Sequence, residues 1–71
     1  MIDKVALKKS LDIHDISVQM LADEAGVTIS TVYRWLANPA RITIGTVELI
    51  KDMTKMDKTE FCRIFYPNEV A

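Results

Sequence analysis

Residues 18–37, with the sequence VQMLADEAGVTISTVYRWLA, predict two short helices joined by a tight turn at residues 25–27. Ala22 falls at the centre of the first helix, where its small side chain lets a second helix approach closely. Gly26 stands where that helix ends, and the turn there needs a positive φ, which glycine adopts without strain. Thr28 then offers a side-chain oxygen that can cap the second helix. We therefore expect two packed helices whose turn is fixed by one glycine.

The second helix of this stretch divides into a buried face and an exposed face. Val32, Trp35 and Leu36 recur at helical spacing, so they should face Leu21 and the core. The side chains left to point outward are Thr28, Ile29, Ser30, Tyr33 and Arg34. The pattern thus predicts an exposed helix surface with polar, aromatic and basic side chains.

The buried positions of the two helices resemble those of a known family of regulators. They are filled by Leu21, Ala22, Gly26, Val27, Val32 and Trp35. The chain is therefore similar to the Cro/repressor-type (XRE-like) helix-turn-helix regulators of bacteria and temperate phages, over the motif and the helices around it. The string AGVTISTVYRWLAN at 25–38 also resembles the headpiece of the Lac-repressor family. In that family the motif starts near the N-terminus and an effector domain follows, so the leading helix here favours the Cro-like alternative.

Capping and helix-breaking residues divide the chain into five expected helices. The side chains that can cap N-termini are Asp3, Ser17, Thr28, Thr43 and Asp57. The expected ranges are about 3–11, 18–24, 29–37 and 44–54, and a fifth helix from Asp57 to Pro67, where Asp57 and Glu60 form a D-x-x-E capping arrangement. We expect an all-α, compact five-helix bundle of the lambda-repressor-like type. Residues 1–71 should form a single domain, with the helix-turn-helix motif at about 18–37.

Composition limits the size of the core and the cellular compartment. A chain of 71 residues buries only roughly 60% of its unfolded surface, so its core is marginal. One cysteine cannot form an internal disulfide, which suits a reducing compartment. The sequence contains neither a signal-peptide pattern nor an apolar run long enough to span a membrane. We expect a soluble protein in the cytoplasm of a bacterial host cell.

The net charge of −1 is unusual for a nucleic-acid binder, because phosphate neutralisation supplies much of the affinity. The distribution of charge is more favourable than its sum. No acidic residue lies between Ala25 and Val47, whereas Arg34 and Arg41 both lie there. The acidic side chains collect elsewhere, at Asp12, Asp15, Asp23, Glu24, Asp52 and Asp57. The expected binding face is therefore locally positive.

The resemblance implies that the third helix enters the major groove of operator DNA, where base edges present distinct donors and acceptors. Arg34 could bind guanine or a phosphate, and both alternatives stay open. Arg41 suits a phosphate contact better than base recognition. The full set of candidate DNA-binding residues is Thr28, Ile29, Ser30, Tyr33, Arg34, Arg41 and Gln19.

Two departures from the family pattern favour an alternative function. Val18 stands where many Cro-like proteins have a phosphate-binding glutamine, and Gln19 comes one residue later. Ile29 stands where polar readers are common. Exposed apolar residues often mark protein contacts, so the same fold could bind a partner phage repressor as an antirepressor or corepressor. The candidate residues for such an interface, or for a homodimer, are Met53, Met56, Phe65 and Tyr66.

Chemistry other than recognition has little support in the sequence. His14 is isolated between two aspartates and should be a surface residue, with no partner at metal-ligand spacing. Cys62 has no histidine placed by a nucleophile motif and should be a core residue. We therefore predict no enzymatic activity, no metal, no cofactor and no small-molecule substrate.

Overall fold

Each α-helix begins where the sequence supplies a capping side chain. The computed structural model describes residues 2–68 and contains α1 (Lys4–Ile13), α2 (Val18–Ala25), α3 (Ile29–Ala37), α4 (Ile44–Thr54) and α5 (Lys58–Phe65). All five expected N-caps accept a hydrogen bond from the backbone N–H three residues later, at 2.8 to 3.3 Å. A short 3₁₀ turn, Pro39–Arg41, joins α3 to α4. The prediction of an all-α, five-helix fold is confirmed for the described residues.

The first helix is longer than the sequence suggested. It continues to Ile13 instead of ending near Leu11. Asp15 then takes a left-handed conformation with φ of +57°, and the N–H of Ile16 donates to the carbonyl of Leu11 at 2.8 Å. Aspartate tolerates this conformation better than most side chains, so the chain needs no glycine to leave α1. The expected domain range of 1–71 includes Met1 and residues 69–71, which lie outside the described residues.

The buried apolar side chains form one cluster to which all five α-helices contribute. Its members are Leu7, Leu11, Leu21, Ala22, Val32, Trp35, Ile50, Met56, Ile64 and Phe65. Trp35 is therefore a core residue as expected, whereas Cys62 is only half-buried. Because the cluster supports α3 from behind, the opposite face of α3 stays exposed.

A polar cluster joins the end of α1 to α5 and corrects two expectations. The hydroxyl of Ser10, which is 4% exposed, donates to the Glu60 carboxylate at 2.6 Å. Nε2 of His14 lies 3.2 and 3.3 Å from the two oxygens of the same carboxylate. His14 is thus half-buried and paired, and the prediction of an isolated surface histidine is wrong. Glu60 uses its carboxylate here, so only the Asp57 half of the expected capping arrangement forms.

The five helices are short. None of those in residues 2–68 has the length and apolar character needed to cross a lipid bilayer.

Candidate nucleic-acid interface

The turn between α2 and α3 depends on the backbone conformation of Gly26. This residue has φ of +70° and ψ of 32°, and its N–H points at the carbonyls of Ala22 and Asp23. The N–H of Val27 donates to the Ala22 carbonyl at 3.1 Å, which closes the end of α2. A Cβ placed on Gly26 would meet no atom within 4 Å. Glycine is therefore favoured here by the positive φ and not by crowding.

Packing against α2 fixes which face of α3 remains exposed. Leu21 and Ala22 of α2 are buried, as are Val32 and Trp35 of α3. Leu36, which was expected to face the core, is half-buried. The five side chains predicted to point outward are all exposed: Thr28, Ile29, Ser30, Tyr33 and Arg34. The helical periodicity thus identified both faces of α3 correctly.

The exposed face consists of two adjacent rows of side chains. Residues four apart lie one above the other on a helix, so Ser30 and Arg34 form one row and Ile29 and Tyr33 form the other. Arg34 lies in the last turn of α3. A hydroxyl near the start of the helix and a guanidinium one turn later provide a donor set that can reach both base edges and phosphates.

Both arginines of this region are available to an anionic ligand. Arg41 lies on the 3₁₀ turn just beyond α3 and is exposed, like Arg34. Within residues 2–68, the one basic side-chain nitrogen within 4.0 Å of a carboxylate oxygen is Nε2 of His14, next to Glu60. Neither guanidinium is therefore neutralised by a carboxylate of the described chain. No acidic residue lies between residues 25 and 47 in the sequence, so α3 and the 3₁₀ turn themselves carry only positive charges, those of Arg34 and Arg41.

Two of the candidate DNA-binding side chains already have partners within their own helices. The Thr28 hydroxyl accepts from the N–H of Thr31 at 3.3 Å and lies 3.0 Å from the Thr31 hydroxyl. The Gln19 amide nitrogen donates to Asp23 at 2.9 Å along the surface of α2. Thr28 is therefore mainly a helix cap, and Gln19 has to give up its contact with Asp23 before it can donate to a ligand.

Three exposed apolar side chains lie on α2, α3 and α4. Ile44 at the start of α4 is 82% exposed, Met20 is 44% exposed and Ile29 is 39% exposed. Ile29 could be predicted because the family pattern has polar readers at its position, whereas no such pattern marks Ile44 as exposed.

Burial corrects part of the predicted protein interface. Met56 and Phe65 are 6% and 4% exposed and belong to the core cluster, so they have almost no surface to offer a partner. Met53 is half-buried and Tyr66 is 52% exposed. The ring of Tyr66 lies 5.9 Å from that of Phe61. Two of the four candidates, Met53 and Tyr66, therefore remain accessible.

The structure also brings two lysines of α1 to the edge of α3. Lys4 and Lys8 line the same groove as Tyr33. Their spacing of four residues shows from the sequence that they share a helix face. Only the tertiary packing shows that this face borders α3.

Metal binding has no support in the described chain. Residues 2–68 contain no group of three or more His, Cys, Asp or Glu side chains that could hold an ion. The expectation that the protein binds no metal or cofactor stays a prediction.

A capped helix packed across a glycine turn onto a second helix defines the class of helix-turn-helix proteins. The helix-turn-helix family HTH_3 matches residues 7–60 of the 71, and the chain belongs to this family. It is a DNA-binding regulator of the Cro/repressor (XRE) type, which confirms the resemblance seen in the sequence. No curated protein and no solved structure gives a significant match. The family is a regulatory one, and the prediction that the chain has no enzymatic activity stays a prediction.

Proposed function

We propose that the protein is a small transcriptional regulator of a phage or prophage that binds double-stranded operator DNA through α3 in a Cro-like switch. In this proposal residues 1–71 act as one domain in the cytoplasm of a bacterial host. The phage origin and the switch role are supported by the resemblance of the buried motif to Cro-like regulators.

The observation that carries the DNA proposal is the positive, exposed face of α3. Arg34 and Arg41 have no carboxylate partner in the described chain, and the surrounding sequence is free of acidic residues. DNA phosphates repel acidic surfaces and release counterions when cations approach. The acidic side chains of α2 and α4 therefore favour docking by this face over docking by the others.

The candidate residues divide by what their side chains can contact. Ser30 and Arg34 are in position for base edges of the major groove, and Ile29 and Tyr33 for apolar contacts such as a thymine methyl. Arg34 can also bind a phosphate, which positions the protein without reading sequence. Arg41 is assigned to a phosphate. Thr28 offers its hydroxyl to the backbone next to the helix start, and Gln19 extends this contact from α2.

Arginine substitutions test the DNA proposal. We expect Arg34→Ala and Arg41→Ala each to weaken binding to a labelled duplex from the intergenic DNA beside the gene. For Arg41→Ala, the plot of the logarithm of the binding constant against the logarithm of the salt concentration should also become less steep by about 1. The reason is that one phosphate contact disappears. Fluorescence anisotropy at several salt concentrations measures both effects.

Arg63→Ala is the matched control, since Arg63 is an exposed arginine on α5, outside the motif. The affinity of this variant for DNA, and the dependence of that affinity on salt concentration, should equal those of the unmodified protein. The direct DNA proposal fails if the unmodified protein shows no salt-sensitive binding at physiological ionic strength. It also fails if the Arg63 variant loses as much affinity as the other two.

A second candidate function is favoured by the exposed apolar side chains. Ile44 and Ile29 are 82% and 39% exposed on α4 and α3, and apolar side chains with this exposure suit a protein partner. In this alternative the protein binds a repressor encoded beside it and modulates its activity, or forms a homodimer. Met53 and Tyr66 are the remaining accessible candidates for this contact.

Co-purification with the neighbouring repressor distinguishes the alternatives. We expect a stable complex from the unmodified protein, and loss of that complex with Ile44→Asp, because a charge at a dry contact is costly. Thr59→Asp is the control, since Thr59 is an exposed polar residue of α5. If no complex forms while the protein binds DNA alone, the partner alternative is wrong.

A further inference from the structure

A groove bounded by α1, the start of α2 and α3 has the dimensions of a small-molecule site. Its volume is about 490 Å³, and sites for small ligands range over roughly 300–1,000 Å³. Its floor is apolar and comes from all three helices. The accessible apolar surface comes from the half-buried side chains of Ile16, Val18 and Leu36. Leu11, Leu21 and Val32 complete the floor but are buried and expose almost no area. An occupant therefore needs an apolar body.

The charged side chains at the rim of this groove favour an anionic ligand. Lys4 and Lys8 line one wall, are exposed, and have no carboxylate within 4.0 Å in residues 2–68. Asp12 lies one turn further along the same wall and offsets part of their charge. The start of α2 at Ser17 and Val18 also opens onto the groove, and a helix N-terminus carries a positive partial charge. The last turn of α3, at Leu36 and Ala37, also lines the groove and carries an opposing negative partial charge. The two full positive charges of Lys4 and Lys8 still outnumber the one negative charge of Asp12.

We propose that this groove binds a small amphipathic carboxylate, and that the bound acid weakens DNA binding as an effector. Its apolar body packs on the floor and its carboxylate lies between Lys4 and Lys8. Tyr33, a candidate DNA-binding residue on the exposed face of α3, lines the same groove. The bound acid therefore contacts α3 and adds a negative charge next to the surface that approaches phosphates.

Only the effector role rests on the proposed DNA function. Ligand binding by the groove is independent of it, because none of the floor residues is assigned to DNA. If the acid weakens DNA binding, DNA must weaken binding of the acid by the same factor. The site and its effect can therefore be tested separately.

Octanoate is the probe for the site, and amide NMR of the full chain is the measurement. We expect saturable movement of the Leu11, Val18 and Leu36 signals on addition of octanoate. Octylammonium, with the same chain and the opposite charge, should bind at least about fivefold more weakly, because the lysines repel it. Equal affinity of the two probes overturns the proposal.

A charge-reversal pair tests the rim. Lys8→Glu should weaken octanoate binding at least about threefold by removing an attraction and adding a repulsion. Lys9→Glu is the matched control, because Lys9 is the next residue on the same helix but lines a different groove with Glu60 and Arg63. It makes the same change in net charge and should leave the affinity nearly unchanged. If both variants lose the same affinity for octanoate, only the overall charge of the protein matters. This result would contradict the proposed binding site.

A second pair tests the groove itself. Ala37→Trp places a large side chain at an exposed position of the lining and should abolish the octanoate shifts. Ala40→Trp makes the same change at an exposed position outside the groove and should preserve them. Both changes lie at the surface, so circular dichroism should report an intact fold. Unchanged octanoate binding by the Ala37 variant contradicts the proposal.

Four further outcomes bear on the occupant of the groove and on its effect. Octanoate shifts centred on the exposed side chains Val5, Ile13 and Ile44 would show non-specific apolar binding and overturn the site. Concentration-dependent shifts of groove signals without any ligand would assign the groove to a second copy of the chain. Octanoate that binds selectively without changing the affinity for DNA overturns the effector role. Selective octanoate binding in a protein that binds no DNA supports the site and refutes the proposed function.

Discussion

At the scale of one residue, Gly26 determines the turn between α2 and α3 through its backbone φ alone. Asp15 and Lys55 show that this chain also places larger side chains in the left-handed region, with φ of +57° and +54°. A left-handed conformation costs a residue with a Cβ roughly 1–2 kcal/mol. The chain therefore accepts this strain at the ends of α1 and α4 but avoids it within the helix-turn-helix motif.

Alanine substitutions at the two glycines should have opposite effects. Gly26→Ala should lower the free energy of unfolding by about 1 kcal/mol because of its positive φ, since the space around it is open. Gly45→Ala should raise it by up to about 0.5–1 kcal/mol, because Gly45 is helical and its nearest foreign atom is 4.0 Å from a Cβ. Urea unfolding followed by Trp35 fluorescence measures both. Equal destabilisation by the two substitutions would contradict the conformational explanation.

At the scale of elements, one shared carboxylate adds polar contacts to the apolar packing between α1 and α5. Glu60 accepts from buried Ser10 and pairs with His14, which is the C-cap of α1. The Ser10 bond spans 50 residues of sequence and the His14 bond 46. A hydrogen bond to a charged group stabilises a fold by roughly 1.5–3 kcal/mol. This cluster therefore stabilises the packing of the first helix on the last, together with the shared core and the bond between Asp3 and Ile64.

A double-mutant cycle should detect this coupling. Ser10→Ala and Glu60→Gln should each destabilise the protein by about 1–2 kcal/mol, and the double variant by less than their sum. Thermal or urea unfolding supplies the free energies. Glu48→Gln, at an exposed glutamate of α4, is the control and should be nearly neutral. Strict additivity of Ser10 and Glu60 would mean that their hydrogen bond contributes nothing to stability.

At the scale of the whole molecule, sequence reasoning succeeded where structure is decided locally. The five caps, the Gly26 turn and the outward face of α3 each depend on residues within one or two helical turns. It failed where distant elements decide the outcome. The burial of Met56 and Phe65 requires the other helices, and the pairing of His14 requires Glu60 on α5.

The candidate site shows the same division between local and distant information. Periodicity identified the exposed residues of α3, including Tyr33 and Arg34, because a helix face can be read from spacing. The position of Lys4 and Lys8 beside Tyr33 could not be read in this way. It depends on the angle at which α1 crosses α3, which only the packed core determines.

The backbone bond between Asp3 and Ile64 has a consequence for the order of folding. The N–H of Asp3 donates to the Ile64 carbonyl at 2.8 Å, so the first helix can dock fully only after about sixty residues have been brought together. The contacts of α2 with α3 close a far shorter loop. Contacts between sequence neighbours form first when other factors are equal. We therefore expect the α2–α3 pair to form earlier in folding than the junction of α1 with α5.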